Sequence, residues 1–439
     1  MAVELPLRIV QITPGAGKMF CGACLRDNAL VTALRRLGHP AVMAPLYLPL
    51  TLDEEDQTSG APFFFSGINV YLEQQSAFFR KAPGWLHRLL GAPALAKLAS
   101  RAAGRARMED LGELTLSMLR GEVGNQAREM DDLIGWLRVE KPGVVCLSNA
   151  LLAGMARRVR AELRVPVVCS LQGEDYFLDA LPETHCQLAW RVAAERAADI
   201  DLFIAPSRYF GARMAERLKI APARMKIVPN GINLDGYEAA PDAAKAGPPV
   251  LGFFARMCRA KGLDQVVEAF IRLKKREGLR DLKLRVGGSC GPTDRVVVDE
   301  ARRALARAGV LGDVEFCPNL SRAEKLAFLR TLSVFSVPAT YGEAFGLYVI
   351  EALASGVPVV QPDHGAFGEL LAATGGGVLC QADDPEALAG ALAGLLLAPE
   401  RARALGRAGQ AAVRQRYTVD IMAREVAAVC REAMRNFPS

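Results

Sequence analysis

Short apolar runs alternate with segments of helical periodicity, and they do so twice along the chain. In the first half the runs fall at 8–13, 41–46, 143–148, 165–171, 202–205 and 225–228. A helix is predicted over 24–37, with Leu30, Leu34 and Leu37 on one stripe. In the second half the runs fall near 250–255, 282–287, 314–317, 334–338 and 358–361. Runs of this length bounded by turn residues suit strands buried on both faces, and alternation with helices calls for a parallel, doubly wound sheet. Residues 237–249 are rich in Ala, Pro and Gly and read as a linker. A chain of 439 residues is too long for one typical core. The expected organisation is therefore an α/β domain over 1–236, the linker 237–249, a second α/β domain over 250–416, and a closing helical segment over 417–439.

Composition narrows the partners. The formal charge of +6 is modest for this size, and no nucleic-acid motif is visible, so no nucleic-acid partner is expected. Ten cysteines are scattered, and only Cys21 and Cys24 lie close together. The first residues run straight into a strand without the charged-then-apolar pattern of a signal peptide. No uncharged stretch reaches the ~18 residues of a membrane span, and the longest, such as 37–52, are interrupted by prolines. A cytoplasmic protein with reduced thiols, soluble or peripheral on a membrane, is the expectation.

The most informative segment follows the run at 334–338. Glu343 and Glu351 stand eight residues apart in Gly342-Glu-Ala-Phe-Gly-Leu-Tyr-Val-Ile-Glu351. The first glutamate falls in a loop, and the second falls about one turn inside a helix that ends at Gly356. Between them the amides of Ala344, Phe345, Gly346 and Leu347 sit at the helix N-terminus, a place suited to phosphate. Two carboxylates flanking a phosphate make chemical sense if they accept hydrogen bonds from neutral hydroxyls. A nucleotide-sugar offers that layout: a ribose diol, a diphosphate and hexose hydroxyls. Taken alone, two such glutamates are more often a surface residue and a helix-start residue. Upstream, the run at 250–255 ends at Arg256, and a short loop leads to Lys261-Gly262. Leu263, Val266, Val267, Phe270 and Ile271 then follow with helical spacing. Two cations thus stand at the carboxyl end of a strand, where open α/β sheets bind ligands.

Together these segments resemble the retaining glycosyltransferases of family four. In that family an Arg and a Lys five apart hold the donor diphosphate, and two glutamates eight apart grip the donor. Pro229-Asn230-Gly231-Ile232-Asn233, Pro206-Ser207, residues 365–369 and Gly38-His39 resemble further family segments in the same order, so the likeness covers most of the chain. It implies the GT-B architecture, two Rossmann-like domains facing a cleft. It also implies a metal-independent reaction with no cofactor beyond the nucleotide-sugar substrate, for which UDP is the family default. In that scheme Arg256 and Lys261 stabilise the leaving diphosphate, Glu343 holds sugar hydroxyls, and Glu351 holds the ribose. Asn319 and Leu320 lie where family members pass backbone beside the base. The closing helix is expected to cross back to the first domain.

Several other segments carry candidate chemistry. Pro14-Gly15-Ala16-Gly17-Lys18 follows the first strand, and Gly15 and Gly17 let backbone approach an anion closely. It is not a P-loop, because Ile12 and Met19 occupy the required glycine and hydroxyl positions. In the resembling family this loop lies over the donor phosphates. A plain strand–helix turn is the alternative. Cys21-Gly22-Ala23-Cys24 has metal or redox spacing but no second pair to complete a zinc site. Gln172-Gly173-Glu174-Asp175 follows a strand and offers acceptor-side candidates in Gln172, Glu174 and Asp175, with a helix start as the alternative. Family members commonly carry histidine at the Gln172 position. An amide can hydrogen-bond a hydroxyl but cannot act as a base.

Residues 74–108 break the pattern. Seven basic residues (Arg80, Lys81, Arg88, Lys97, Arg101, Arg105 and Arg107) share the stretch with Phe78, Phe79, Trp85, Leu86, Leu89 and Leu90, and no acidic residue occurs. Such an insert suits an anionic membrane surface or a lid over the site. The expected activity is transfer of a sugar from a nucleoside-diphosphate donor to a carbohydrate or lipid-linked acceptor. A sugar-nucleotide epimerase and a non-catalytic nucleotide-sugar sensor are the alternatives.

Overall fold

The computed structural model describes residues 5–15, 22–47, 52, 54–58, 64, 108–237 and 247–438. Gly17, Cys21 and nearly all of the basic insert lie outside the described residues. The chain divides into two compact units, Met1–Pro229 with Asp420–Ser439, and Asn230–Val419.

The first unit is built on β1 (Ile9–Thr13), β2 (Ala41–Pro45), β3 (Val144–Leu147), β4 (Val167–Ser170), β5 (Leu202–Ala205) and β6 (Met225–Ile227). They form one sheet in the order β2-β1-β3-β4-β5-β6. Every pairing is parallel, with Ile9 opposite Ala41 on one side and Val144 on the other. All residues of β1, β3, β4 and β5 are buried, as a sheet covered on both faces requires. The helix Val419–Asn436 belongs to this unit from Asp420 onward. Cys430 on it lies 3.6 Å, sulfur to sulfur, from Cys146 of β3, and Asp420 pairs with Arg36 at 2.8 Å.

The second unit repeats the plan with β7 (Val250–Phe254), β8 (Lys283–Gly288), β9 (Val314–Pro318), β10 (Val334–Phe335), β11 (Val359–Pro362) and β12 (Gly377–Cys380). The order is β12-β11-β10-β7-β8-β9, again all parallel. Read from β9, this is the doubly wound Rossmann order, whose direction of winding reverses between β7 and β10. In the first sheet the reversal falls between β1 and β3. Loops from adjacent strands diverge at such a point, and a ligand crevice opens at the strands' carboxyl ends.

Two details differ from the sequence expectation. β12 has no apolar run longer than Val378-Leu379-Cys380 to announce it, and it begins at a glycine whose Cβ would stand 2.2 Å from the Val359 carbonyl. The second unit also starts earlier than the composition of 237–249 suggests. Ile232 and Tyr237 are buried in its core, and Ile232 exchanges backbone hydrogen bonds of 2.9 Å with Tyr417 and Val419.

Candidate functional site

Three loops converge at the carboxyl ends of β7, β10 and β11. Glycines set the approach of the first two. Gly262 has φ of +72°, and a Cβ there would stand 1.9 Å from the Pro338 carbonyl oxygen. The Thr340 N–H donates to the Ala260 carbonyl at 3.0 Å. The loop after β7 is thereby zipped to the loop after β10. The third loop supports Glu343 from behind. Gly365, with φ of +60°, leaves no room for a Cβ against the Glu343 backbone, and the Ala366 N–H donates to the Glu343 carbonyl at 2.9 Å.

This zip brings Lys261 onto Glu343. The Lys261 ammonium donates to Glu343 Oε2 and to the Tyr341 hydroxyl, with both charged side chains largely buried. The same oxygen accepts from Tyr348 Oη at 2.8 Å and from Tyr341 Oη at 3.2 Å. Lys261 Nζ also lies 4.9 Å from the Tyr341 ring centroid and 5.2 Å from that of Tyr348, within cation–π range. Burial alone would raise the Glu343 carboxyl. The charge of Lys261 and the hydrogen bonds from Lys261, Tyr348 and Tyr341 outweigh it and hold the group below the ordinary glutamate range. Burial, then the Glu343 charge, pushes the Tyr348 hydroxyl well up, so it stays a donor.

Arg256 stands at the end of β7 with its side chain about half exposed. Its Nε lies 3.0 and 3.1 Å from the two oxygens of Asp294, which is buried and also accepts from the Gly291 N–H at 2.9 Å. Asp294 therefore fixes the guanidinium against the loop after β8. Asn319, after β9, has φ of +56° and braces that same loop: its N–H donates to the Gly288 carbonyl at 2.8 Å, and its side chain bonds Cys290 at 3.0 and 3.3 Å. Leu320 packs half-buried beside the core.

The helix after Glu343 is Leu347–Ala354. Gly346 caps it in the left-handed region at φ of +92°, while Ala344 and Phe345 are buried and anchor the turn. No acidic residue occupies its first turn. Glu351 lies on the same helix and accepts from Lys325 Nζ at 2.8 Å, in a pair that is mostly buried. The structure thus brings Arg256, Lys261, Glu343 and the helix start to one switch point. It adds Tyr341, Tyr348, Asp294 and Lys325, which sequence reasoning missed. Tyr341 and Tyr348 flank Glu343 by two and five residues, and that spacing was the available signal. Nothing local marks Asp294 or Lys325.

In the first unit the switch point holds a buried polar network. Arg26 Nη1 pairs with Asp27 at 2.9 Å, both side chains almost fully enclosed, and Gln11 and Gln172 donate to Asp27 at 3.2 and 3.4 Å. Burial raises the Asp27 carboxyl above its usual range, the Arg26 charge and the hydrogen bonds opposing it. Gln172 also donates to the Ser148 carbonyl at 2.9 Å. Glu174 is turned inward, accepting from the backbone N–H groups of Ala150 and Gln172 at 2.9 and 2.6 Å, and burial lifts it to about 7. Asp175 pairs with Arg213 at 2.6 Å. Gly15 turns the chain at φ of +78° just past β1. Cys24 is buried and accepts from Thr13 Oγ1 at 3.8 Å. Among the described residues no group of three or more His, Cys, Asp or Glu is placed to hold a metal ion, and no helix is long and apolar enough to cross a membrane.

Two parallel six-stranded sheets of this winding, with cations and paired carboxylates at the second switch point, define the GT-B class of folds. Sucrose-phosphate synthase from Thermosynechococcus elongatus has the same fold, with a TM-score of 0.71 at 18% identity over 97% of this chain and 99% of that one. Anabaena HepE, solved with UDP, gives a TM-score of 0.68 at 17% identity over 97% and 100%. The family described as Glycosyl transferases group 1 matches residues 238–412, and Glycosyltransferase Family 4 matches residues 110–235. The chain belongs to the family 4 glycosyltransferases. Among its relatives, the D-inositol 3-phosphate glycosyltransferase of Segniliparus rotundus is 28% identical over 68% of this chain and 65% of that protein. The phosphatidyl-myo-inositol mannosyltransferase of Mycobacterium leprae is 32% identical over 45% and 51%. The match spans less than two thirds of either relative's length.

Proposed function

We propose that this protein moves a glycosyl group from a nucleoside-diphosphate sugar to an acceptor hydroxyl, with retention at the anomeric carbon and without a metal ion. The observation that carries the reading is the Lys261–Glu343 pair beside Arg256 and a helix N-terminus at the switch point of the second sheet. Charge grows on a diphosphate as its bond to the sugar breaks. Two cations and a helix start offer compensation at that moment, with Arg256 held in advance by Asp294. The acceptor hydroxyl attacks on the face that the diphosphate leaves, and its proton passes to a phosphate oxygen, so no protein nucleophile is required.

Glu343 would accept from sugar hydroxyls and Glu351 from the ribose. A carboxylate offers about four lone-pair sites, so the Lys325 contact leaves Glu351 able to accept more. Asn319 and Leu320 would line the base. Gly15 and Gly17 would bring backbone to the phosphates, and Gln172 would face the acceptor. A UDP-sugar is the favoured donor, in keeping with the UDP named for HepE. A lipid or lipid-linked acceptor on an anionic membrane surface is favoured by the acid-free basic stretch 74–108 and by the phosphatidyl-inositol acceptor in the name of the Mycobacterium leprae relative.

The test is transfer from a panel of UDP-, GDP- and ADP-sugars, with the product anomer read by proton NMR. Retained configuration and activity in EDTA are expected. Interconversion of the donor alone would favour an epimerase, binding without turnover would favour a sensor, and strict dependence on Mg²⁺ or Mn²⁺ would contradict the metal-independent scheme.

A further inference from the structure

We infer that Tyr348 is a positioning residue whose hydroxyl keeps the Glu343 carboxylate in place and charged when Lys261 turns from it to the donor diphosphate. The inference rests on the proposed function, because it assumes that Lys261 has a second partner. Lys261, Tyr341 and Tyr348 all converge on the same oxygen, Oε2. That is one donor more than a single carboxylate oxygen needs. The surplus makes sense if one donor leaves during turnover. Lys261 is the mobile one, with a flexible four-carbon stem and a stronger alternative partner in a diphosphate.

Tyr348 is the fixed one. Its ring is held between Phe335 of β10 and Phe367, with centroids 6.3 and 6.4 Å away, so it cannot follow the ammonium. A buried carboxylate stripped of its counter-charge and its firmest hydrogen bond would either take up a proton or swing away. With Tyr348 in place it stays an acceptor for a substrate hydroxyl. Tyr341 is the weaker brace. It sits at 3.2 Å and itself receives a hydrogen bond from Lys261. The titratable groups acting on Glu343 come from the elements around it: Lys261 after β7, Tyr341 in its own loop, and Tyr348 on the helix. His364, after β11, is turned to the Ala339 carbonyl at 2.7 Å.

Two measurements test this together. Steady-state kinetics of Tyr348→Phe should show kcat reduced about tenfold, as loss of a hydrogen bond to a charged group implies, with donor KM changed less than threefold. The acidic limb of kcat should also move upward by about one pH unit, the equivalent of that tenfold loss. Tyr341→Phe should show a smaller effect of the same kind. A purely structural role would instead lower the rate equally at all pH values, in step with a fall in melting temperature. The second measurement needs no activity. Carboxyl ¹³C NMR follows the Glu343 resonance, assigned by its loss in Glu343→Gln, through a pH titration of Lys261→Ala and of Lys261→Ala/Tyr348→Phe. The double variant should titrate at least about one unit higher than the single one. Equal titration of the two would overturn the inference. If the titrations separate but the wild type transfers from no nucleotide-sugar, the functional reading fails and the hold of Tyr348 on Glu343 stands.

Discussion

At the scale of single residues the account depends on where charge is compensated. Lys261 and Arg256 are each held by a carboxylate, Glu343 and Asp294; in the proposed reaction Arg256 stays on Asp294 while Lys261 turns to the donor. Lys261→Ala or Arg256→Ala should lower kcat by roughly 10²–10³ with the fold retained, and Lys261→Ala should also lower the melting temperature because it strips a buried carboxylate of its counter-charge. Near-normal rates in both variants would remove the diphosphate role. Glu174 behaves differently, because folding raises its carboxyl from 4.5 to about 7 by burial. A carboxyl raised by folding contributes fully below its unfolded value, and the contribution is lost as pH rises through the folded one. Unfolding free energy should therefore fall by roughly 3 kcal/mol as pH rises across that window, and Glu174→Gln should flatten the slope in urea melts. A slope that persists in the variant would assign it elsewhere. The residues named from sequence were those with a chemical type and a spacing that set them apart: Arg256, Lys261, Glu343 and Glu351. Asp294 and Lys325 were invisible, because they reach the site from other loops and helices and only the fold shows which charge each one meets.

At the scale of elements, glycine decides how close the loops come. Gly262 lets the turn carrying Lys261 lie against Pro338, and Gly365 lets the loop after β11 lie against Glu343. Gly262→Ala would place a Cβ 1.9 Å from a backbone oxygen and force a non-glycine residue to φ of +72°. We expect a loss of more than about 2 kcal/mol in stability, together with loss of donor-induced stabilisation, because the zip to Thr340 opens. A melting temperature within a degree of wild type would show that the loops do not need this approach. Most strands were legible because parallel strands buried on both faces read as continuous apolar runs, as β3 and β5 do. β12 was not, since a half-buried strand starting in glycines carries no such run. The order of the strands, and hence the switch points, was also beyond reach, because periodicity says nothing about which neighbours pair.

At the scale of the molecule, two doubly wound units share one plan, and the chain returns from the second to the first through Val419–Asn436. Two domains could be read from the repeated alternation. Their boundary could not, because Ile232 and Tyr237 precede the Ala/Pro/Gly stretch yet bury in the second core. The basic stretch 74–108 bears on where the molecule works. Each Lys or Arg near an anionic bilayer is worth about 1 kcal/mol, screened within a Debye length. The protein should co-sediment with anionic vesicles at low salt, and less so when Arg80, Lys81 and Arg88 are changed to Gln. Protein left in the supernatant would place the acceptor in solution. The central claim, that the second unit's switch point holds a nucleoside diphosphate, is tested most directly by thermal shift against UDP-, GDP- and ADP-sugars. A ligand that binds only the folded state raises the midpoint, by an amount set by its concentration over Kd. The account predicts a clear upward shift with one of these donors for the wild type, and its loss in Arg256→Ala/Lys261→Ala, each protein being read against its own unliganded midpoint. A shift of equal size in that double variant would contradict it.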